Sequence, residues 1–326
     1  MNRNKIIILL GVFVFTLSCA FVCFFFAPIF VHAQGKPALI AVLLSRDAAP
    51  YRRALDGFRD SVAGNDVEIS VYDLDGSPEE GHRAMSDIRE KKALLILAIG
   101  SVAASSAVNE ERYCPVVFTM VSNPSDEGFM QRQKLPASNF AGVCLDVPAE
   151  DQFKFILSIF PSAKRIGVIY DRSQTGMTIS EAAEAAKGLG LELVAVPVNS
   201  EAKVPDAIAY LRRRVDALWA VADGTVFGSK STKYIITYTL NYKIPFFGLS
   251  SYFVKEGALA SLHADYYDLG SQAGDIAKEV LSGTSAAKIP IASPRKTSST
   301  INLRTALSLG IKLPQSMIDS MGEVIR

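Results

Sequence analysis

A pattern that occurs twice constrains this chain more than any other feature. The first copy runs Ala93-Leu-Leu-Ile-Leu-Ala-Ile-Gly100-Ser101-Val102, then Cys114-Pro115-Val-Val-Phe-Thr-Met-Val-Ser122, then Glu127-Gly128. The second runs Ala217-Leu-Trp-Ala-Val-Ala-Asp223-Gly224-Thr225-Val226, then Ile244-Pro245-Phe-Phe-Gly-Leu-Ser250, then Glu256-Gly257. Each copy reads as an apolar strand, a Gly-[Ser/Thr]-Val turn, a helix-length segment, a Pro-led apolar strand and a polar Ser turn. A repeated βαβ unit of this size implies two similar α/β lobes, each with its own core. The 326 residues are enough for both.

The rest of the chain follows the same grammar. Leu39 to Leu44 is a continuous apolar run, as expected of a strand covered on both faces. Tyr51, Leu55, Phe58 and Val62 then recur at helical spacing. Val67 to Tyr72 alternates as a second strand. Ser77-Pro78-Glu79-Glu80 opens a helix with a capping box and a first-turn proline. Strands come next at 94–99, 116–120 and from Phe140 to Val147. The buried face of Phe153, Ile156, Leu157 and Phe160 predicts a helix, after which strand 166–170 restarts the alternation. Helix 178–188, strand 191–198, helix 203–214, strand 217–222, helix 229–242, strands 246–249 and 258–262 and a helix near 266–282 complete it. The Ser-, Ala-, Pro- and Lys-rich stretch from Ser285 to Thr300 reads as a connection. The fold class is therefore α/β, two Rossmann-like lobes with parallel sheets and a cleft between them.

The N-terminus carries an address. Asn2, Arg3, Asn4 and Lys5 precede an apolar run from Ile6 to Val31, and Val31-His32-Ala33 fits the small-x-small cleavage rule. Residues 1–33 are thus expected to be a signal peptide. The run is long for one, so an uncleaved anchor stays open, and Cys19 or Cys23 offers a lipidation site in a poor lipobox match. All three readings export the remainder. Beyond this segment only Cys114 and Cys144 remain, both beside apolar runs, and buried free thiols are the simpler reading. The 34 basic and 33 acidic side chains leave no basic stripe for nucleic acid. His32, His82 and His263 are too scattered for a metal site.

In open α/β sheets, ligands sit beyond the carboxyl ends of strands. That rule nominates Ser45, Arg46, Gly100, Ser101, Val102, Ala103, Ser122 and Asn123 in the first lobe. In the second it nominates Tyr170, Asp171, Asp223, Gly224, Thr225 and Ser250. Gly100-Ser101 and Gly224-Thr225 are each expected to open a helix whose free N–H groups suit an anion, although plain helix capping explains them equally well. Asp223 ends an apolar strand, where it would receive a ligand cation or close a bond within its lobe. Arg46 is a two-point carboxylate clamp or a solvated loop residue. Tyr51, Phe227, Tyr252 and Phe253 stand near these turns as stacking surfaces or core. Nucleophile elbows, Walker loops, zinc-hydrolase motifs and Cys-x-x-Cys pairs are missing from the sequence, so neither an enzyme nor a cofactor is called for.

With these turns in place, the chain resembles the substrate-binding proteins of bacterial ABC importers, in the group related to tryptophan- and tyrosine-binding lipoproteins. The resemblance rests on Ala41-Val-Leu-Leu-Ser45 with Leu55-Asp-Gly57-Phe58, Ala98-Ile-Gly100-Ser101-Val-Ala103, and Pro115-Val-Val-Phe-Thr-Met-Val-Ser122-Asn123-Pro124. Phe160-Pro161-Ser-Ala-Lys164-Arg165-Ile-Gly-Val-Ile-Tyr170, Asp265-Tyr266-Tyr267-Asp268-Leu269-Gly270 and Ile301-Asn302-Leu303-Arg304-Thr305-Ala306 extend it. It implies a type I periplasmic-binding fold with crossovers near 144–150, 262–266 and 288–300. One lobe would hold 34–147 plus about 264–290, the other 148–263 plus about 291–326. It implies a small polar ligand, an amino acid and in particular an aromatic one, held by a closing cleft. Its partners would be an ABC permease with its ATPase, in the periplasm or on the outer face of the cytoplasmic membrane. Membrane contact would come only through signal, anchor or lipid. A ligand-sensing module for a membrane receptor or kinase shares the same fold. One departure bears on the ligand: where aromatic-binding relatives often carry Asp-Asn, Asp223-Gly224 lacks the amide.

Overall fold

A computed structural model describes residues 37–135 and 138–326. The signal, anchor and lipidation readings of the N-terminus fall outside these residues. Two sheets carry the fold.

The first sheet has five parallel strands in the order β2-β1-β3-β4-β5. They are β1 (Ala38–Leu44), β2 (Val67–Asp73), β3 (Leu95–Ile99), β4 (Val116–Val121) and β5 (Phe140–Cys144). The connecting helices are α1 (Ala49–Val62), α2 (Pro78–Lys91), α3 (Ser101–Glu110) and the short α4 (Phe129–Gln133). Helices lie on both faces, so β3, β4 and β5 are buried throughout. That is why they read as continuous apolar runs rather than alternating ones. Ser77 caps α2 by accepting the Glu80 N–H, as its sequence signature predicts.

After α5 (Ala149–Ile159) the chain builds a seven-stranded sheet in the order β12-β11-β10-β9-β8-β6-β7. Its strands are β6 (Arg165–Asp171), β7 (Glu192–Val198), β8 (Ala217–Trp219), β9 (Phe246–Gly248), β10 (Ala260–Ala264), β11 (Thr297–Asn302) and β12 (Glu323–Ile325). All neighbours are parallel except β10 and β11. Its helices are α6 (Arg172–Gly188), α7 (Val204–Leu211), α8 (Ser229–Asn241), α9 (Ser251–Lys255), α10 (Tyr266–Leu281), α11 (Leu303–Leu309) and α12 (Gln315–Ser320). Of these, α10 returns to the first sheet and packs along α1. Gly57 and Gly270 permit that approach: a Cβ on Gly57 would strike the Tyr267 carbonyl, and one on Gly270 the Ala54 carbonyl.

The chain therefore passes between the sheets three times, after Cys144, at 264–266 and between Ala292 and Thr297. The structure departs from the sequence expectation in three places. Thr297–Asn302 is a strand, antiparallel to β10, within the stretch read as a connection. Its Thr-Ser-Ser-Thr run hides a sound β propensity behind a polar composition. Helix α6 begins at Arg172 rather than at 178, with a backbone break at Thr175 (φ −138°, ψ 19°). Gly224-Thr225 does not open a helix, since α8 starts four residues later at Ser229.

Candidate functional site

The strand order reverses between β1 and β3 in one sheet and between β6 and β8 in the other. These are the topological switch points where a ligand is expected, and the chain places bonds of its own in each. In the first, the Ser45 hydroxyl accepts the Ala103 N–H at 2.9 Å. In the second, Asp223 is 2% exposed and its carboxylate is fully engaged. One oxygen accepts from the Asp171 N–H (2.6 Å) and the Thr175 hydroxyl (2.8 Å). The other accepts from the N–H groups of Thr225 (3.0 Å) and Val226 (3.1 Å). The Gly224 N–H donates to the Gln174 side chain at 2.8 Å. The N–H groups of Gly224, Thr225, Val226 and Phe227 are all taken within the lobe, so Asp223, Gly224 and Thr225 brace the second lobe from within. At the first turn the helix start leaves over the N–H groups of Ser101 and Val102.

A cavity of about 340 Å³ lies between the lobes, displaced from the switch points toward the crossovers. From the first lobe it takes Ser122, Asn123, Leu145, Asp146 and Val147. From the second it takes Trp219 to Ala222, Leu249, Ser250 and Phe253, and from the connections Ala149, Gln152, Leu262, His263, Ala264 and Tyr266. Thr178 reaches it from α6. Of the residues expected from sequence, Ser122, Asn123 and Ser250 meet here, with Phe253 beside them. Ser101 and Val102 border a separate surface groove with Glu127 and Pro78. Asp171 faces an open groove beside β7, where it accepts from the Ser173 N–H and hydroxyl. Arg46 and Tyr252 are exposed. Gly100 and Ala103 are buried. Tyr51, Tyr170 and Phe227 pack on the cores, Phe227 stacking on Phe246 at 6.4 Å.

Asp146, Gln152, Thr178, Trp219, His263 and Tyr266 are wall residues that the strand-end rule does not nominate. The signal for most was the crossovers: residues flanking a hinge line the cleft whatever their type. Local geometry explains how they are aimed. A register shift between Phe118 and Val121, with Met120 at φ 61°, bulges the end of β4. Such a bulge re-aims the residues just beyond it, here Ser122 and Asn123. Asn123 takes φ 48°, a conformation asparagine tolerates better than most.

Among the described residues, the cavity wall carries one carboxyl and no lysine or arginine. Burial pushes the Asp146 pKa up to about 6, against the Asn123 N–H that binds the carboxylate, and the nearby Asp126 adds to the rise. His263 is held below its ordinary value, chiefly by burial. Gln152 is fixed by donating to the Leu262 carbonyl at 2.9 Å. The Trp219 indole packs edge-on against Phe153, centroids 5.0 Å apart.

Several bonds bridge the lobes beside the cavity. Asn123 Nδ2 donates to the Ala222 carbonyl at 2.6 Å. The Asp126 carboxylate accepts the N–H groups of Met177 (2.8 Å) and Thr178 (3.1 Å) and the Thr178 hydroxyl (2.8 Å). Ser125 donates to Glu181. Cys114 and Cys144 are free thiols, each pushed up to about 12 mainly by burial. His82 is exposed and its Nδ1 lies 3.0 Å from the Glu110 carboxylate. No helix among the described residues is long and apolar enough to cross a membrane.

Comparison with known proteins gives a consistent answer. Residues 39–325 match the family model described as ABC transporter substrate binding protein. A tyrosine-binding protein of Clostridioides difficile is 27% identical over 259 residues, covering 78% of this chain and 73% of the relative. A Streptococcus pneumoniae domain solved in complex with L-Trp is 24% identical, with a TM-score of 0.67 over 88% of this chain and 99% of that one. A ligand-free, open substrate-binding protein with adhesive properties from Clostridium difficile is 23% identical, with a TM-score of 0.73 over the same shares. At these identities the two structures show the fold.

Proposed function

The chain belongs to the family of ABC transporter substrate-binding proteins, and from that premise we propose that it captures a free amino acid, an aromatic one, in the cavity between its lobes. The observation that carries this reading is the cavity wall. Its volume of about 340 Å³ sits at the small end of the roughly 300–1,000 Å³ typical of small-molecule sites. It is largely apolar, with Trp219, Phe253 and Tyr266 as ring surfaces and a few hydroxyl, amide and carboxyl groups. Among the described wall residues one carboxyl and no lysine or arginine face the cavity, which gives the ammonium of a zwitterion a charged partner and leaves its carboxylate to neutral donors. Asp146 would take the ammonium. Ser122 and Ser250 offer hydroxyl donors to the carboxylate. The names of the tyrosine-binding relative and the L-Trp complex point the same way.

In this reading the protein is exported, and it hands its ligand to a membrane permease driven by an ATPase. The five-stranded sheet with α10 forms one closing unit and the seven-stranded sheet the other, joined by the three crossovers, a hinge arrangement common to ligand clamps.

Trp219 is the only tryptophan in the chain, so its emission reports both unfolding and binding. The test is thermal unfolding of the full-length chain in detergent, followed at Trp219, with amino acids, nucleosides, sugars and small acids as ligands. Ligand at ~100 times its dissociation constant adds ~2.7 kcal/mol. An aromatic amino acid should raise the midpoint by several degrees. No shift with any amino acid, or a shift only with a sugar or nucleoside, refutes the reading.

A further inference from the structure

We propose that His263 sets the specificity of this cavity, accepting at Nε2 a hydrogen bond from an O–H or N–H on the ligand's aromatic ring. The inference rests on the amino-acid reading and narrows it to rings that bear a donor, a phenol or an indole.

The tautomer follows from the neighbours. His263 Nδ1 lies 3.2 Å from the Ala264 carbonyl oxygen. A carbonyl only accepts, so Nδ1 carries the proton, and in the neutral ring Nε2 is left with a lone pair. Burial keeps the ring neutral. That Nε2 is buried without a hydrogen-bond partner among the described residues. Buried polar atoms are rarely left unmatched, and an orphan points to a bound partner or a function. His263 is also a wall residue of the cavity, among Leu262, Phe253, Leu249 and Tyr266. Its ring centre is 6.0 Å from that of Tyr266. An acceptor set among apolar and aromatic side chains marks where a ring's polar edge belongs. The atom is covered by its surroundings, so the ligand must seat with a small turn about χ2, a soft torsion, that keeps Nδ1 on the Ala264 carbonyl. A site built to bond a ring O–H or N–H discriminates against the ligand lacking it, because the buried acceptor then stays orphaned.

The experiment is calorimetric titration of the full-length chain in detergent with L-tyrosine, L-tryptophan, L-phenylalanine and O-methyl-L-tyrosine. The unaltered protein should bind L-tyrosine or L-tryptophan at least tenfold more tightly than L-phenylalanine. O-methyl-L-tyrosine, which keeps the ether oxygen but loses the proton, should fall with L-phenylalanine. In His263→Phe the preference for L-tyrosine over L-phenylalanine should shrink to within about threefold, by loss of affinity for the former. Equal affinity for L-tyrosine, L-tryptophan and L-phenylalanine in the unaltered protein overturns the role of His263 but leaves the amino-acid site standing. An unchanged preference in a folded His263→Phe does the same. Binding of none of the four removes the aromatic amino-acid reading itself. The first comparison needs no variant, so a substitution that fails to fold does not protect the proposal.

Discussion

Removing the Asp126 carboxylate should let the two lobes part. Helix α6 breaks at Thr175, so Met177 and Thr178 behave as a second helix start whose N–H groups lack partners in the preceding turn. Asp126, on the loop after β4, supplies those partners from the opposite lobe through three bonds of 2.8 to 3.1 Å. It acts as a cap in trans. A capping side chain contributes ~0.5–2 kcal/mol, and a negative charge at the positive end of a helix adds ~0.3–1 kcal/mol. A loss of about 2 kcal/mol changes the closed-to-open ratio about 30-fold, since each 1.4 kcal/mol is tenfold. Bonds inside each lobe are untouched by Asp126→Ala, so the lobes should keep their fold. The assay is energy transfer between reporters placed at Tyr113 on the first lobe and Leu307 on the second, which are 95% and 82% exposed. Genetically encoded side chains avoid the native thiols. Asp126→Ala should lower the transfer efficiency, and affinity for the ligand should fall with the closed population. Asp126→Asn, which keeps an acceptor but loses the charge, should fall between. Ser125→Ala removes only the exposed bond to Glu181 and should do little. An Asp126→Ala protein with unchanged transfer efficiency and affinity within twofold of the original refutes the trans-cap reasoning. So does a variant whose unfolding midpoint collapses, because the bonds would then belong to folding rather than closure.

Two further substitutions follow from the carboxylates. Asp223→Ala strands the N–H groups of Asp171, Thr225 and Val226 and leaves the Thr175 hydroxyl only the longer bond to the Asp171 carbonyl. With each buried unsatisfied group costing ~1–3 kcal/mol and some of these reaching water, urea denaturation should show a loss of several kcal/mol; a loss under about 1 kcal/mol would return Asp223 to the ligand. Asp146 has its pKa raised by burial to about 6, so between the unfolded value near ~3.9 and 6 the folded protein binds more protons than the unfolded chain. Stability from this group is therefore present at low pH and lost as pH rises through that window. Urea titrations without ligand at pH 4.5 and pH 7 should show Asp146→Asn gaining on the original protein at the higher pH, and a constant difference between the two would rule out the shift.

What could be read from the sequence, and what could not, divides along sequence distance. The buried parallel strands were legible because both faces are covered, so Leu95–Ile99 and Val116–Val121 show their burial in their own residues. The Ser77 cap was legible because its partner is three residues away. For Asp223 the sequence leaves a ligand contact and a bond within the lobe both open, because its strand-end position is visible but two of its donors are not. Asp171 and Thr175 lie 52 and 48 residues from it in the chain. The same distance hid the cavity. Its wall combines the ends of β4, β5, β8, β9 and β10 with both flanks of a crossover, and no residue type there is distinctive alone. Ala220, Val221 and Ala222 look like ordinary strand core in sequence, and they become wall only because Asn123 reaches across 99 residues to the Ala222 carbonyl. The strand-end rule points to the right edge of each sheet. It cannot tell whether the chain closes a given turn on itself, as at Asp223, or leaves helix-start N–H groups over, as at Ser101 and Val102, and the cavity lies to one side of both, toward the crossovers.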